Sequence, residues 1–180
     1  METGEEIEKA LSVLIGQPFW KASRATDMEM LHFGERHPST TKKGAPIEYG
    51  EYALHIQCAW RITHLDEIVV GRNDLYYPPD GSFEFPEGVK WNIDLKNMRD
   101  VRMKAFMQEH ADSPLVVTSI EAHRAGAVSI FFTGDYVLEL FPDNSSNGYK
   151  EDNNMEEWRF MNGRNDHFVV MANGIQGQNE

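Results

Sequence analysis

Seven histidines, one cysteine and a surplus of carboxylates are the groups through which this chain could do chemistry. The histidines are His32, His37, His55, His64, His110, His123 and His167. No two of them have the His-x-x-x-His or His-Glu-x-x-His spacing that puts two imidazoles on one helix face for a metal. Cys58 is the one thiol, so neither a thiolate zinc site nor an intramolecular disulfide can form. His32 and His37, five residues apart across an expected turn, read as side chains of a solvated loop. There is no Gly-x-Ser-x-Gly elbow for a nucleophilic serine and no glycine-rich phosphate cradle of either common spacing. The expectation is therefore no catalytic set, no metal and no cofactor.

Two groups keep a chemical interest because of where the pattern puts them. From Glu51 to Ile62 large apolar residues alternate with small or polar ones, the longest period-2 run in the chain. Successive side chains of a strand point to opposite faces. Tyr52, Leu54, Ile56, Cys58, Trp60 and Ile62 then face a core, with Cys58 a small buried hydrophobe, while His55 and Arg61 lie on the other face. A second Trp-Arg pair, Trp158-Arg159, repeats the arrangement of Trp60-Arg61, and each is followed by a Gly-Arg-Asn-Asp turn, at Gly71–Asp74 and Gly163–Asp166. Shared turn chemistry explains the repeat more simply than duplication. A buried tryptophan leaves its arginine outward, free to meet a carboxylate or a ligand. His55, Arg61, Asp74 and Arg159 are accordingly the expected polar groups of a small-ligand pocket beside this strand.

The other chemical feature is charge. Twenty-nine acids against 17 bases leave a formal charge of −12. That disfavours nucleic acid, whose phosphates need Lys and Arg, and an anionic membrane surface. It favours solubility or a basic protein partner. The most acidic run, with Asp143, Glu151, Asp152, Glu156 and Glu157 against Lys150, reads as a flexible polar loop or, more sharply, as the docking surface for such a partner. No window approaches a membrane span and the N-terminus is acidic, which predicts a cytoplasmic protein.

Positioning these groups takes one α+β domain over residues 1–173, with 174–180 as a fraying tail. Thr3 and Glu6 have capping-box spacing ahead of an amphipathic helix that Gly16 and Pro18 close near Ile15. Phe19 to Phe33 holds one or two strands with bends at Asp27 or Gly34, and 35–49 reads as an exposed loop. After the strand to Ile62, His64-Leu65-Asp66 turns into a hairpin partner at Glu67–Val70, and a short strand follows at Leu75–Tyr77. Between Trp91 and Ala111 the spacing predicts a second helix, capped by Asp94 or Asn97. Its buried face is Leu95, Met98, Val101 and Ala105, and its solvated face Arg99, Asp100, Arg102 and Lys104. Strands at Leu115–His123, Val128–Thr133, Tyr136–Phe141, Glu157–Met161 and Phe168–Ala172 make an antiparallel meander, since their turns are too short for parallel crossovers. The predicted fold is an antiparallel sheet, hairpin plus C-terminal meander, packed with two helices.

The run Glu51–Ile62, with Gly71 and Asp74, and the later Glu157-Trp158-Arg159-Phe160 and His167-Phe168-Val169-Val170, resembles a family of small uncharacterised bacterial proteins over most of the chain from Ile15 to Ala172. Some small acidic α+β proteins of that style are immunity proteins that block a secreted toxin. The resemblance implies a non-enzymatic inhibitor with an acidic surface. The competing expectation is a small-ligand binder or enzyme at His55, and a third is a homo-oligomer formed through an open sheet edge.

Overall fold

A computed structural model describes residues 3–145, 155–163 and 166–176. The fold is α+β: eleven antiparallel strands in one open sheet with two helices packed against it. In chain order the elements are α1 (Thr3–Leu11), β1 (Pro18–Ala25), β2 (Met28–Thr40), β3 (Pro46–Ile56), β4 (Ala59–His64), β5 (Glu67–Gly71), α2 (Met98–Glu109), β6 (Leu115–Ala122), β7 (Val128–Phe132), β8 (Tyr136–Phe141), β9 (Glu156–Asn162), β10 (Asp166–Met171) and β11 (Gly174–Gln176). Neither helix is long and apolar enough to cross a membrane.

The strand order across the sheet is β11-β10-β9-β3-β2-β1-β6-β7-β8-β4-β5. One link forces this sheet to curl. β3 and β4 are joined by Gln57 and Cys58 alone, yet they stand six places apart. In a flat sheet six strand spacings would separate them by about 29 Å, while three peptide units reach at most about 11 Å. The two halves therefore fold towards each other over one core. The row Leu31, Leu54, Phe160 and Phe168 of one half and the row Ile62, Leu138 and Ile130 of the other belong to a single buried cluster. Each such side chain contributes roughly 1.5–3 kcal/mol on leaving water. The Glu157 carbonyl of β9 closes the seam by accepting from the backbone N–H of Gln57 (2.8 Å) and Cys58 (2.9 Å).

The alternating run from Glu51 is therefore two strands in different parts of the sheet. All its core-facing residues from Leu54 to Ile62 are buried even so, because the link keeps the alternation in phase. Burial, with Glu157 close by, pushes the Cys58 thiol up to about 12, which suits a packing residue. The segment 35–49 is a correction. It is mostly a two-stranded ribbon, with Pro38 opposite Glu48 and Thr40 opposite Pro46, turned at 41–45. Its prolines are tolerated because β1 stops pairing with β2 at Phe33 and β9 starts pairing with β3 at Tyr52, so the outer sides of the ribbon need no N–H donors. Leu75–Tyr77, expected as a strand, belongs largely to a 3-10 turn, Arg72–Tyr76. Gly174–Gln176, expected to fray, pairs with β10 as β11. The predicted meander holds for β6-β7-β8, whereas β9 and β10 join the opposite end of the sheet beside β3.

α1 buries Ile7 and Leu11 and rests on β6, followed by a 3-10 turn that buries Leu14. α2 begins only at Met98, with Asn97 as its cap: the Asn97 Oδ1 accepts from the Asp100 N–H at 2.8 Å. Its faces match the expectation only in part. Arg99, Asp100, Met103 and Phe106 are buried, while Leu95, before the helix, and Val101 are exposed. Arg102 and Lys104 are solvated as predicted.

Candidate functional site

The four predicted ligand-binding residues divide between the two halves of the sheet. His55 and Arg159 stand directly opposite each other on β3 and β9, on the face turned away from the core. Arg159 gives its Nε and Nη2 to the carboxylate of Glu156, and its Nη1 lies 3.0 Å from His167 Nδ1. Arg61 belongs to the other half, where its Nε donates to Glu139 at 2.6 Å and its guanidinium lies over the Phe141 ring. Asp74 is a structural cap: its Oδ2 accepts from the Gly71 N–H at 3.0 Å and from Arg102 at 3.2 Å. Both Trp-Arg pairs follow the predicted rule, tryptophan buried and arginine outward on a carboxylate, but they do not close one pocket.

The acidic run is taken apart in the same way. Asp143 is exposed, Glu156 is committed to Arg159, and Glu151 and Asp152 lie outside the described residues. Glu157 is 0% exposed, so it presents nothing to a partner. Its Oε1 accepts from the Asn144 N–H at 3.3 Å, and its Oε2 has no hydrogen-bond partner among the described residues.

What the structure does bring together is a buried ion network between β1, β2 and α2. Arg99 pairs with Glu29 through Nε and Nη2 and reaches Asp100 through Nη1 at 3.1 Å. Asp100 is also gripped by Arg24, with Nε–Oδ1 at 2.7 Å and Nη2–Oδ2 at 2.6 Å, a two-pronged geometry that fixes the guanidinium plane. Burial pushes Asp100 up, but the hydrogen bond and charge of Arg24, with Asn97 and the Leu95 N–H, hold it below the usual carboxylate range. Glu29 goes the other way. Burial carries it up to about 7 against the pull of Arg99. The sequence held one signal for this: Glu29 continues the row of Leu31 and Phe33 along β2 towards the core.

This network holds the base of a long irregular loop, residues 77–97. Asp100 Oδ2 accepts from the Leu95 N–H at 3.1 Å, Arg24 Nη2 reaches the Asn92 carbonyl at 3.4 Å, and Asn97 Nδ2 donates to the Trp91 carbonyl at 2.7 Å. The Met98 N–H bonds the Tyr77 carbonyl at 2.8 Å and closes the loop on itself. On this base stand side chains that a soluble surface ordinarily hides. Phe83 is 86% exposed, and Tyr76, Tyr77, Ile93 and Leu95 are exposed with it. Phe83 meets Tyr77 edge-on at 6.4 Å, and Tyr76 meets Trp91 in the same way. The same loop carries the exposed carboxylates Asp80, Glu84, Glu87 and Asp94, the last 3.6 Å from Arg24, against Lys90 and Lys96. Hydrogen bonds from the Ser82 N–H and hydroxyl hold Asp80 below its ordinary value, so it stays ionised. Alongside, β1 and α2 frame a groove of about 560 Å³ whose lining includes Asp94, Leu95, Met103 and Met107.

Comparisons with protein-family models, with curated proteins and with solved structures return no match.

Proposed function

We propose that the protein is a non-enzymatic, cytoplasmic binding protein that docks a basic protein partner through the loop 77–97. The observation that carries this reading is the exposure of Phe83 among carboxylates on a loop whose base is fixed by buried ion pairs. Aromatic side chains supply most of the energy in protein interfaces, ringed by polar groups that exclude water. Long loops without regular structure in compact domains are commonly functional. Pinning the base lowers the ordering cost that binding would otherwise incur. The carboxylates select a cationic surface and speed encounter, in keeping with the net charge of −12. An immunity-type inhibitor that covers a basic toxin is one form of this reading.

The test is capture of a partner from the source cells on the immobilised protein, followed by titration of the purified partner against wild type and Phe83→Ser. The reading expects a partner of high isoelectric point, at least about tenfold weaker binding by the variant, and weakening as salt rises through about 0.1 M. A partner bound equally by the variant, or a captured species that light scattering identifies as a second copy of this chain, overturns it. Phe83 packs against little, so the variant should keep the denaturation midpoint of wild type.

A further inference from the structure

The outer face of the sheet around Ala53 carries a feature that the loop does not use. A cleft of about 340 Å³ opens there, within the range of small-molecule sites. The strand geometry gives it a cross-shaped plan. Ala53, outward yet only 6% exposed, is the floor. His32 of β2 and Met161 of β9 flank it in register, one on each side. Along β3, Glu51 and His55 lie two residues before and after Ala53 on the same face, with Cα atoms about 13 Å apart.

The chemistry of the two ends differs. The ring of His32 takes a hydrogen bond from the Gly50 N–H on Nδ1 at 3.2 Å, which leaves Nε2–H as its donor. Gly50 has no room for a side chain: a Cβ would lie 2.6 Å from the Phe33 carbonyl, so this anchor is built into the β2–β3 bulge. No hydrogen bond occupies the His55 ring among the described residues, and Arg159 stands across from it. Burial, with Lys21 and His55, lowers His32 to about 4, and burial, with Arg159, lowers His55. Both rings are therefore neutral hydrogen-bonding groups. The far end has Glu51, whose carboxylate also interacts with the Tyr52 hydroxyl, and the middle is apolar, with Met161 and Ala53.

We propose that this cleft binds a small amino carboxylate whose amine and carboxylate are separated by several bonds, the ammonium on Glu51 at one end and the carboxylate on His55 at the other. The ammonium meets a carboxylate, the ligand carboxylate meets the imidazole N–H of His55, and the intervening carbons lie on Met161 and Ala53 beside His32. The site is independent of the loop and does not rest on the protein-binding reading.

A series of ω-amino acids from glycine to 8-aminooctanoate serves as the ruler. Binding is read as shifts of the imidazole ¹H–¹⁵N signals of His32 and His55 and by calorimetry. Affinity should peak at an intermediate length, and the matching fatty acid and alkylamine should each bind at least tenfold more weakly. Glu51→Gln should abolish the preference over the fatty acid, and His55→Ala should weaken the best binder at least tenfold. His64→Ala, in the other half of the sheet, should change nothing. Circular dichroism and the denaturation midpoint confirm that each variant folds. Affinity that climbs with chain length without a maximum, indifference to the amine, or no shift at about 10 mM ligand overturns the proposal.

Discussion

Glu29 and His32 sit three residues apart on β2 and titrate in opposite senses. Burial raises the Glu29 carboxyl from 4.5 to about 7. Between those values the folded chain holds the proton more tightly than the unfolded one, so this group's contribution to stability falls as pH rises through the window. His32 is lowered from 6.5 to about 4. Between those values it is the unfolded chain that takes up the proton, and stability is lost as pH falls. The two slopes offset each other over much of the acid range. Urea titrations at pH 5 and pH 8 separate them. Relative to Glu29→Gln, wild type should lose on the order of 1–3 kcal/mol on going from the lower to the higher pH. Relative to His32→Gln it should lose stability in the reverse direction, on the order of 1 kcal/mol because the half-buried ring is screened by water. Profiles that stay parallel to wild type would refute both assignments.

At the scale of elements, the loop 77–97 depends on Asn97, which caps α2 and also ties Trp91 and Asp100 to the loop base. Asn97→Ala removes the cap and leaves buried acceptors unpaired. It should cost about 1–3 kcal/mol in urea denaturation and speed amide exchange in residues 91–97 ahead of the rest of the chain. An unchanged exchange pattern would show that the loop base holds without it. The strands themselves were legible because alternation is a local signal: the core face from Leu54 to Ile62 follows from period 2 alone. The break at Gln57-Cys58 was not legible, since the alternation runs through it in phase. The face of α2 was misread for a related reason. Arg99 and Asp100 read as solvated until Glu29 and Arg24, about seventy residues away in sequence, arrive to pair with them. Residues 91–97 of the loop were read as the first turns of α2, and the exposure of Phe83 depends on tertiary packing that no local pattern encodes.

For the molecule as a whole, the curl of the sheet makes one core out of two half-sheets, so neither half has a finished interior without the other. Unfolding should be a single cooperative transition. Trp60 lies in one half and Trp158 in the other, both buried in that core. Other tryptophans also emit, so the comparison pairs the fluorescence of Trp60→Phe and Trp158→Phe proteins with far-ultraviolet circular dichroism. Within each variant the two probes should give coincident midpoints; separated transitions would mean that the halves unfold independently.

The two-residue link between β3 and β4 also sets an order on the chain as it is made. β4 waits for β8, and β3 waits for β9, each far downstream along the chain. Until Glu156–Asn162 has emerged, β3 presents an unpaired row of N–H and C=O groups next to apolar Leu54 and Ile56. A nascent chain in that state is a template for the wrong neighbour. The feature that gives the finished protein its single core therefore puts the hazard of misassembly in the interval before β9 arrives.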